Sequence, residues 1–172
     1  MKKNIVLIGF MGAGKSLVAQ RLSRMLGVAF ASTDQLIEQK EQRTVAEVFR
    51  DSGEEYFRKL EKEIVVKLAQ KKNIIIDCGG GVVIQNENLI NLKKTGILFY
   101  FYTSPEVIYR RTKFHSTRPL LNVSDPLAKI KELLAKRKSY YEQADYVIDT
   151  DLQTVEQTAD AVLKQLKSAK LI

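Results

Sequence analysis

Residues 9–16 read Gly-Phe-Met-Gly-Ala-Gly-Lys-Ser, directly after the apolar run Ile5-Val6-Leu7-Ile8. The stretch fits the phosphate-binding pattern G-x-x-x-x-G-K-[ST], in the strand–turn–helix setting where that pattern works. Its glycines let consecutive backbone N–H groups converge on phosphate oxygens with no Cβ in the way. Lys15 has the reach for β- and γ-phosphates, and the Ser16 hydroxyl suits Mg²⁺. The helix that follows adds the positive end of its dipole. Leu17, Val18, Leu22, Met25 and Leu26 recur behind the loop at helical spacing. Gly12, Ala13, Gly14, Lys15, Ser16 and Leu17 are the expected contacts of a nucleotide's phosphates.

Outward from this loop the chain alternates strand and helix. Strands are expected at 4–9, 28–31, 73–78, 96–102 and 146–148. Helices are expected at 15–26, from Thr33-Asp34 to about 41, after Thr44, at about 54–71, near 86–94, after Ser104-Pro105, from Asp125-Pro126 to about 142, and after Thr154. Thr44 with Glu47, Ser52 with Glu55, and Thr154 with Gln157 have capping spacing. The run Asn73 to Cys78 is almost continuously apolar, as in a strand buried on both faces. Five short strands separated by helices imply a three-layer α/β/α domain around a parallel sheet. The segment 112–124 carries no period, and an irregular loop of that length is usually functional or mobile.

The chain has 172 residues, 45% hydrophobic and 28% charged, which suits one globular domain. No apolar stretch approaches the roughly 20 residues of a membrane span. Met1-Lys2-Lys3-Asn4 leads straight into the first strand without a secretion pattern, so a cytoplasmic protein is expected. The single cysteine, Cys78, excludes an internal disulfide and reads as a buried thiol. The net charge of +8 comes from 19 lysines and nine arginines scattered among glutamates. There is no basic stripe interleaved with aromatics, so small polyanions are favoured as partners over nucleic acid.

In open α/β sheets ligands gather at the C-terminal ends of the strands, and the notable polar residues sit there. Asp34 could orient a substrate hydroxyl and take its proton, or simply cap the next helix. Asp77 closes an apolar strand, where a carboxylate either holds Mg²⁺ directly or through water, or is a satisfied strand-end group. Gly79-Gly80-Gly81 implies a close approach of backbone to a ligand, or a plain turn. Arg58, with Glu61 one turn later, Arg111, Arg118 and Arg137 can each grip carboxylate or phosphate through paired N–H groups.

In their order these segments resemble the shikimate kinase family along nearly the whole chain. The resemblance rests on residues 9–16, Thr33-Asp34 with Ile37-Glu38, and Gly53-Glu54 with Phe57-Arg58 and Glu61. It continues through Gly79-Gly80-Gly81-Val82, Arg118-Pro119-Leu120-Leu121, and Arg137 with Tyr141 and Ala144. It implies a P-loop kinase fold of strand order 2-3-1-4-5, and ATP-dependent phosphorylation of the 3-hydroxyl of shikimate by a monomer. By the resemblance, Lys15, Asp34 and Arg118 carry the chemistry, and Asp34 holds the ring hydroxyls. Arg58 and Arg137 bind the carboxylate, and Gly79, Gly80 and Gly81 contact the ring. Arg111 stacks on adenine. A shikimate-binding segment at about 33–61 and a mobile lid at about 112–124 complete the domain.

Two departures stand out. The family usually carries Asp-x-Asp after the second strand, and its first aspartate assists the metal; here that position is Ser32. Asp77 stands where the family often has a small polar residue, so Asp77 is expected to take over the metal role from outside the direct ligands. Ser139 replaces a common proline, which bears on local rigidity. The alternatives are a kinase of another small hydroxy acid such as gluconate, or a nucleotide-binding protein weakened in catalysis.

Overall fold

The computed structural model describes residues 3–113 and 119–172. Its frame is one sheet of β1 (Asn4–Gly9), β2 (Phe30–Ser32), β3 (Ile75–Asp77), β4 (Gly96–Tyr102) and β5 (Tyr146–Asp149). The strands run parallel in the order β2-β3-β1-β4-β5, as expected.

The apolar runs are continuous because each central strand feeds two cores. In β1, Val6 and Ile8 enter one core and Ile5 and Leu7 the other. In β4, Leu98 and Tyr100 face the first while Phe99 and Phe101 face the second. The first core is closed by α2 (Thr33–Glu41), α3 (Val45–Ala69), α4 (Asn86–Thr95) and the end of α6 (Pro126–Tyr141). The second is closed by α1 (Lys15–Leu26) and α7 (Val155–Ser168), through Val18, Leu22, Val162 and Leu166. Each such side chain contributes about 1.5–3 kcal/mol on burial. The two-sided cover pins the sheet, so its C-terminal edge is a fixed platform for the loops.

Some boundaries differ from the expected ones. The segment read as two helices is one element broken at Gly53, whose φ of 82° and ψ of 169° suit only glycine. The Thr44–Glu47 and Thr154–Gln157 capping boxes form. The Ser52–Glu55 box does not: Ser52 lies inside the helix and its hydroxyl accepts from Arg43 at 3.3 Å. β3 is shorter than the apolar run, because Asn73 adopts a positive φ of 59° and turns the chain before the sheet. Parts of the 112–124 segment on either side of residues 114–118 are regular. Thr112 ends α5 (Pro105–Thr112), and Pro119–Leu121 form a 3₁₀ turn. Leu121 packs there with Phe10, Ile108 and Ile130 in a small apolar cluster that includes a residue of the phosphate loop. His115 and Arg118 lie outside the described residues. No helix among the described residues is long and apolar enough to cross a membrane.

Candidate active site

The phosphate loop joins β1 to α1. Gly12 and Gly14 hold φ of 82° and 87°, which a side chain would strain. Lys15 is buried, and its Nζ donates to the carbonyls of Gly9 at 2.9 Å and Phe10 at 3.0 Å. The ammonium is thereby held across the mouth of the loop.

Ser16 opens α1, and its hydroxyl donates to Asp77 Oδ2 at 2.6 Å. The parallel pairing of β2 with β3 sets Asp77 opposite Ser32. Both are buried. A hydroxyl and a carboxylate are thus fixed side by side at the loop. That donor set fits Mg²⁺, which takes one or two protein oxygens and completes its shell with phosphates and water. Among the described residues no cluster of three or more His, Cys, Asp or Glu offers an all-protein cage.

The other end of the site is built by α2, α3, α6 and the glycine turn. Arg58 projects from α3 beyond the Gly53 break. Its Nη1 donates to Glu61 Oε2 at 2.8 Å, and Nε and Nη2 donate to Glu54 Oε1 at 3.2 and 3.0 Å. The guanidinium lies 5.2 Å from the Phe57 ring centre and 5.9 Å from that of Phe49. Glu61 is fully buried. Burial pushes its carboxyl up to about 7 against the pull of Arg58, with the charge of Asp34 adding to the rise. Arg137 projects from α6, donates from Nη1 to the Gly80 carbonyl at 3.1 Å, and lies 5.4 Å from the Phe10 ring centre.

The glycine turn explains itself once a Cβ is imagined on each residue. At Gly79 it would strike the Asp34 carboxylate, and at Gly81 the Arg58 guanidinium. At Gly80 it would come within 3.1 Å of the Met11 backbone nitrogen. The sequence reading expected the bare backbone to meet a ligand or to make a turn. The structure shows that it admits three pieces of the protein: a carboxylate, a guanidinium and the phosphate loop. Asp34 is not the helix cap; Ser32 occupies that position and Asp34 sits in the first turn. Its carboxylate is turned toward Gly79.

At the opposite end, Arg111 donates from Nη2 to the Thr150 carbonyl at 2.8 Å and from Nη1 to that of Gly12 at 3.3 Å. It ties α5 to the loop after β5. Lys15, Ser16, Leu17, Asp34, Arg58, Asp77, the three glycines, Arg111 and Arg137 all line one cleft of about 820 Å³. Arg118 is outside the described residues, so its placement relative to this cleft is not part of the description.

Sequence reasoning missed three features. Tyr141 donates to the Gly80 carbonyl at 2.6 Å. Thr33 accepts from the Gly79 N–H at 2.8 Å. Thr150, Gln153 and Val155 line the Arg111 end of the cleft. Only Tyr141 left a signal, since it stands one helical turn after Arg137 and so shares its face.

The sequence profile of the shikimate kinase family matches residues 11–167. The chain belongs to the shikimate kinase family. It is 45% identical over 162 residues to a shikimate kinase of Caldanaerobacter subterraneus subsp. tengcongensis, covering 94% of this chain and 95% of that one. It is 44% identical over 163 residues to a shikimate kinase of Thermodesulfovibrio yellowstonii, covering 95% and 94%. Among solved structures it superposes with a TM-score of 0.95 on a shikimate kinase from Acinetobacter baumannii in complex with shikimate. That pair is 36% identical, with 99% of this chain and 96% of the other covered. The glycine-lined cleft joins the phosphate loop at one end to Arg58 and Arg137 at the other.

Proposed function

We propose that this chain transfers the γ-phosphoryl group of ATP to the 3-hydroxyl of shikimate, giving shikimate 3-phosphate and ADP. The observation that carries the reading is the meeting, in one cleft, of the phosphate loop with Asp34, Arg58 and Arg137. A small polyhydroxylated acid needs a carboxylate for its hydroxyls and guanidinium groups for its acid group. The cleft supplies both, beside a loop built for phosphates. Identities of 44–45% to shikimate kinases over nearly the full length favour shikimate over another hydroxy acid such as gluconate.

In this reading the roles divide by position. The backbone N–H groups of Gly12, Ala13, Gly14, Lys15, Ser16 and Leu17 cradle the phosphates. Arg111 faces the adenine. Arg58 and Arg137 grip the substrate carboxylate, and Gly79, Gly80 and Gly81 contact the ring. Asp34 accepts a hydrogen bond from the ring hydroxyls, aims the 3-hydroxyl oxygen at the γ-phosphorus, and takes its proton. Lys15 leaves the Gly9 and Phe10 carbonyls for phosphate oxygens, which are charged and therefore stronger acceptors. Arg118 is assigned to the charge on the transferring group, within a lid spanning about 112–124.

Phosphoryl transfer asks the protein chiefly for positioning and charge stabilisation. Ser16 would hold Mg²⁺, and Asp77 would orient that hydroxyl and a metal-bound water. When bound, the ion neutralises charge on the phosphate oxygens. Residues 1–172 act as one kinase domain whose segment 33–61 carries the substrate contacts. The family resemblance and the scattered charge support a cytoplasmic monomer acting on small molecules, not on nucleic acid or membranes.

The test is coupled detection of ADP with ATP, Mg²⁺ and a panel of shikimate, quinate and gluconate. The expected result is shikimate-dependent ADP release that stops when any one component is left out. Equal turnover of gluconate, or none with shikimate, refutes the reading.

A further inference from the structure

The Gly80 carbonyl accepts two hydrogen bonds from side chains on α6. Tyr141 Oη donates at 2.6 Å and Arg137 Nη1 at 3.1 Å. Tyr141 is fully buried, and its ring lies flat on Tyr100 of β4, with centres 4.7 Å apart and planes 3° from parallel. Its hydroxyl is therefore fixed by the sheet. Arg137 is different in kind. Its guanidinium has five donors, lies on the Phe10 ring, and lines the cleft.

We infer that Tyr141 is a positioning residue for recognition of the substrate's acid group: it caps the Gly80 carbonyl so that Arg137 can swing from that carbonyl onto the carboxylate. This rests on the functional reading given above. Before substrate arrives the carbonyl has two donors. When Arg137 turns to the stronger, charged acceptor, Tyr141 keeps the carbonyl satisfied. Without the Tyr141 hydroxyl the same swing strands a carbonyl beneath the bound substrate, and the cost falls on binding of the acid group alone. Burial pushes the Tyr141 hydroxyl up to about 12, although Arg137 opposes the rise, so it is a donor throughout the neutral range. The Gly80 turn also abuts the Met11 backbone, so holding this peptide in place keeps the acid-binding end in register with the phosphate loop.

The test is Tyr141→Phe, which keeps the ring on Tyr100 and removes only the hydroxyl. Affinities for shikimate and for shikimate methyl ester are measured by calorimetry, with Mg-ADP affinity and the thermal midpoint as controls on folding. The expected result is a loss of roughly 5- to 100-fold in shikimate affinity, from stranding one polar group. The methyl ester, which gives Arg137 no charged acceptor, should change less than about 3-fold, below one stranded group. Equal losses for acid and ester, or no loss for the acid, overturn the inference. The wild-type complex gives an independent reading that needs no variant. With shikimate bound, Tyr141 Oη should remain on the Gly80 carbonyl while Arg137 Nη1 has left it; a guanidinium still on Gly80 overturns the proposal. If the wild type fails to bind shikimate, the functional reading falls and takes this inference with it. If it binds while Tyr141→Phe behaves identically, only the inference falls.

Discussion

Removing Arg58 should destabilise the protein by an amount that depends on pH, because Glu61 is left behind. In the folded protein Glu61 is fully buried, and Arg58 Nη1 is bonded to it at 2.8 Å. Breaking a buried pair by deleting one partner costs about 3–5 kcal/mol when the remaining charge cannot neutralise. Glu61 can neutralise. Its folded value is raised from the ordinary 4.5 to about 7, chiefly by burial. Between those values the native state holds a proton that the unfolded chain has lost. Stability linked to Glu61 is therefore fully present below pH 4.5 and is lost as pH rises through 7. Over that window the loss is about 3 kcal/mol, at about 1.4 kcal/mol per pH unit. Deleting Arg58 removes the attraction that holds the value down, so it rises further and the loss continues above pH 7. Urea unfolding of Arg58→Ala, followed by far-ultraviolet circular dichroism from pH 5 to pH 8, should show about 1 kcal/mol of destabilisation at pH 5 and about 2–2.5 kcal/mol at pH 8, the difference being the one further pH unit over which Glu61 stays protonated. Arg58→Ala with Glu61→Gln should recover most of that stability and flatten the pH dependence, yet still fail to bind shikimate. A destabilisation of Arg58→Ala that is the same at every pH would refute the assignment of the buried charge to Glu61.

Three further outcomes are expected. Asp77→Asn should weaken Mg²⁺ dependence of nucleotide binding by about 10- to 100-fold, the usual effect of losing a carboxylate behind a metal ligand; a calorimetric Mg-ADP titration reads it. Because Ser32 stands opposite Asp77 in the sheet, Ser32→Asp in the Asp77→Asn background should recover part of the loss, and an unchanged titration would reject a shared role for the two positions. Gly81→Ala should abolish shikimate binding while leaving Mg-ADP affinity within about 3-fold, since the added methyl meets the Arg58 guanidinium and not the phosphate loop; parallel titrations of the two ligands check it.

The fold was legible because its signals are local. An apolar run before a glycine loop, repeated strand and helix periods, and a proline or a capping pair at several helix starts all lie within a few residues. The phosphate loop was legible for the same reason. What escaped depends on pairs far apart in sequence. Ser16 and Asp77 are 61 positions apart, and only the pairing of β1 with β3 brings them together. Gly80 and Tyr141 are likewise 61 positions apart, and the role of that tyrosine appears only when α6 is laid over the glycine turn. Arg58 illustrates the middle case. Its partnership with Glu61 follows from helical spacing, but the complete burial of Glu61, which sets its charge state, does not. The glycines show a cause that lies outside their own stretch of sequence, since Asp34, the Met11 backbone and Arg58, from three distant segments, crowd that backbone. The Ser52–Glu55 spacing misled because a glycine between them breaks the helix by its own backbone geometry.

The most direct measurement is a crystal structure with shikimate, Mg²⁺ and a non-hydrolysable ATP analogue bound together. The 3-hydroxyl oxygen should lie within about 3–3.5 Å of the γ-phosphorus, in line with the leaving oxygen. The acid group should sit on Arg58 and Arg137, and the triphosphate on the loop at Lys15. The two ligands occupying separate places with no in-line approach, or the shikimate carboxylate turned away from both arginines, would contradict this reading.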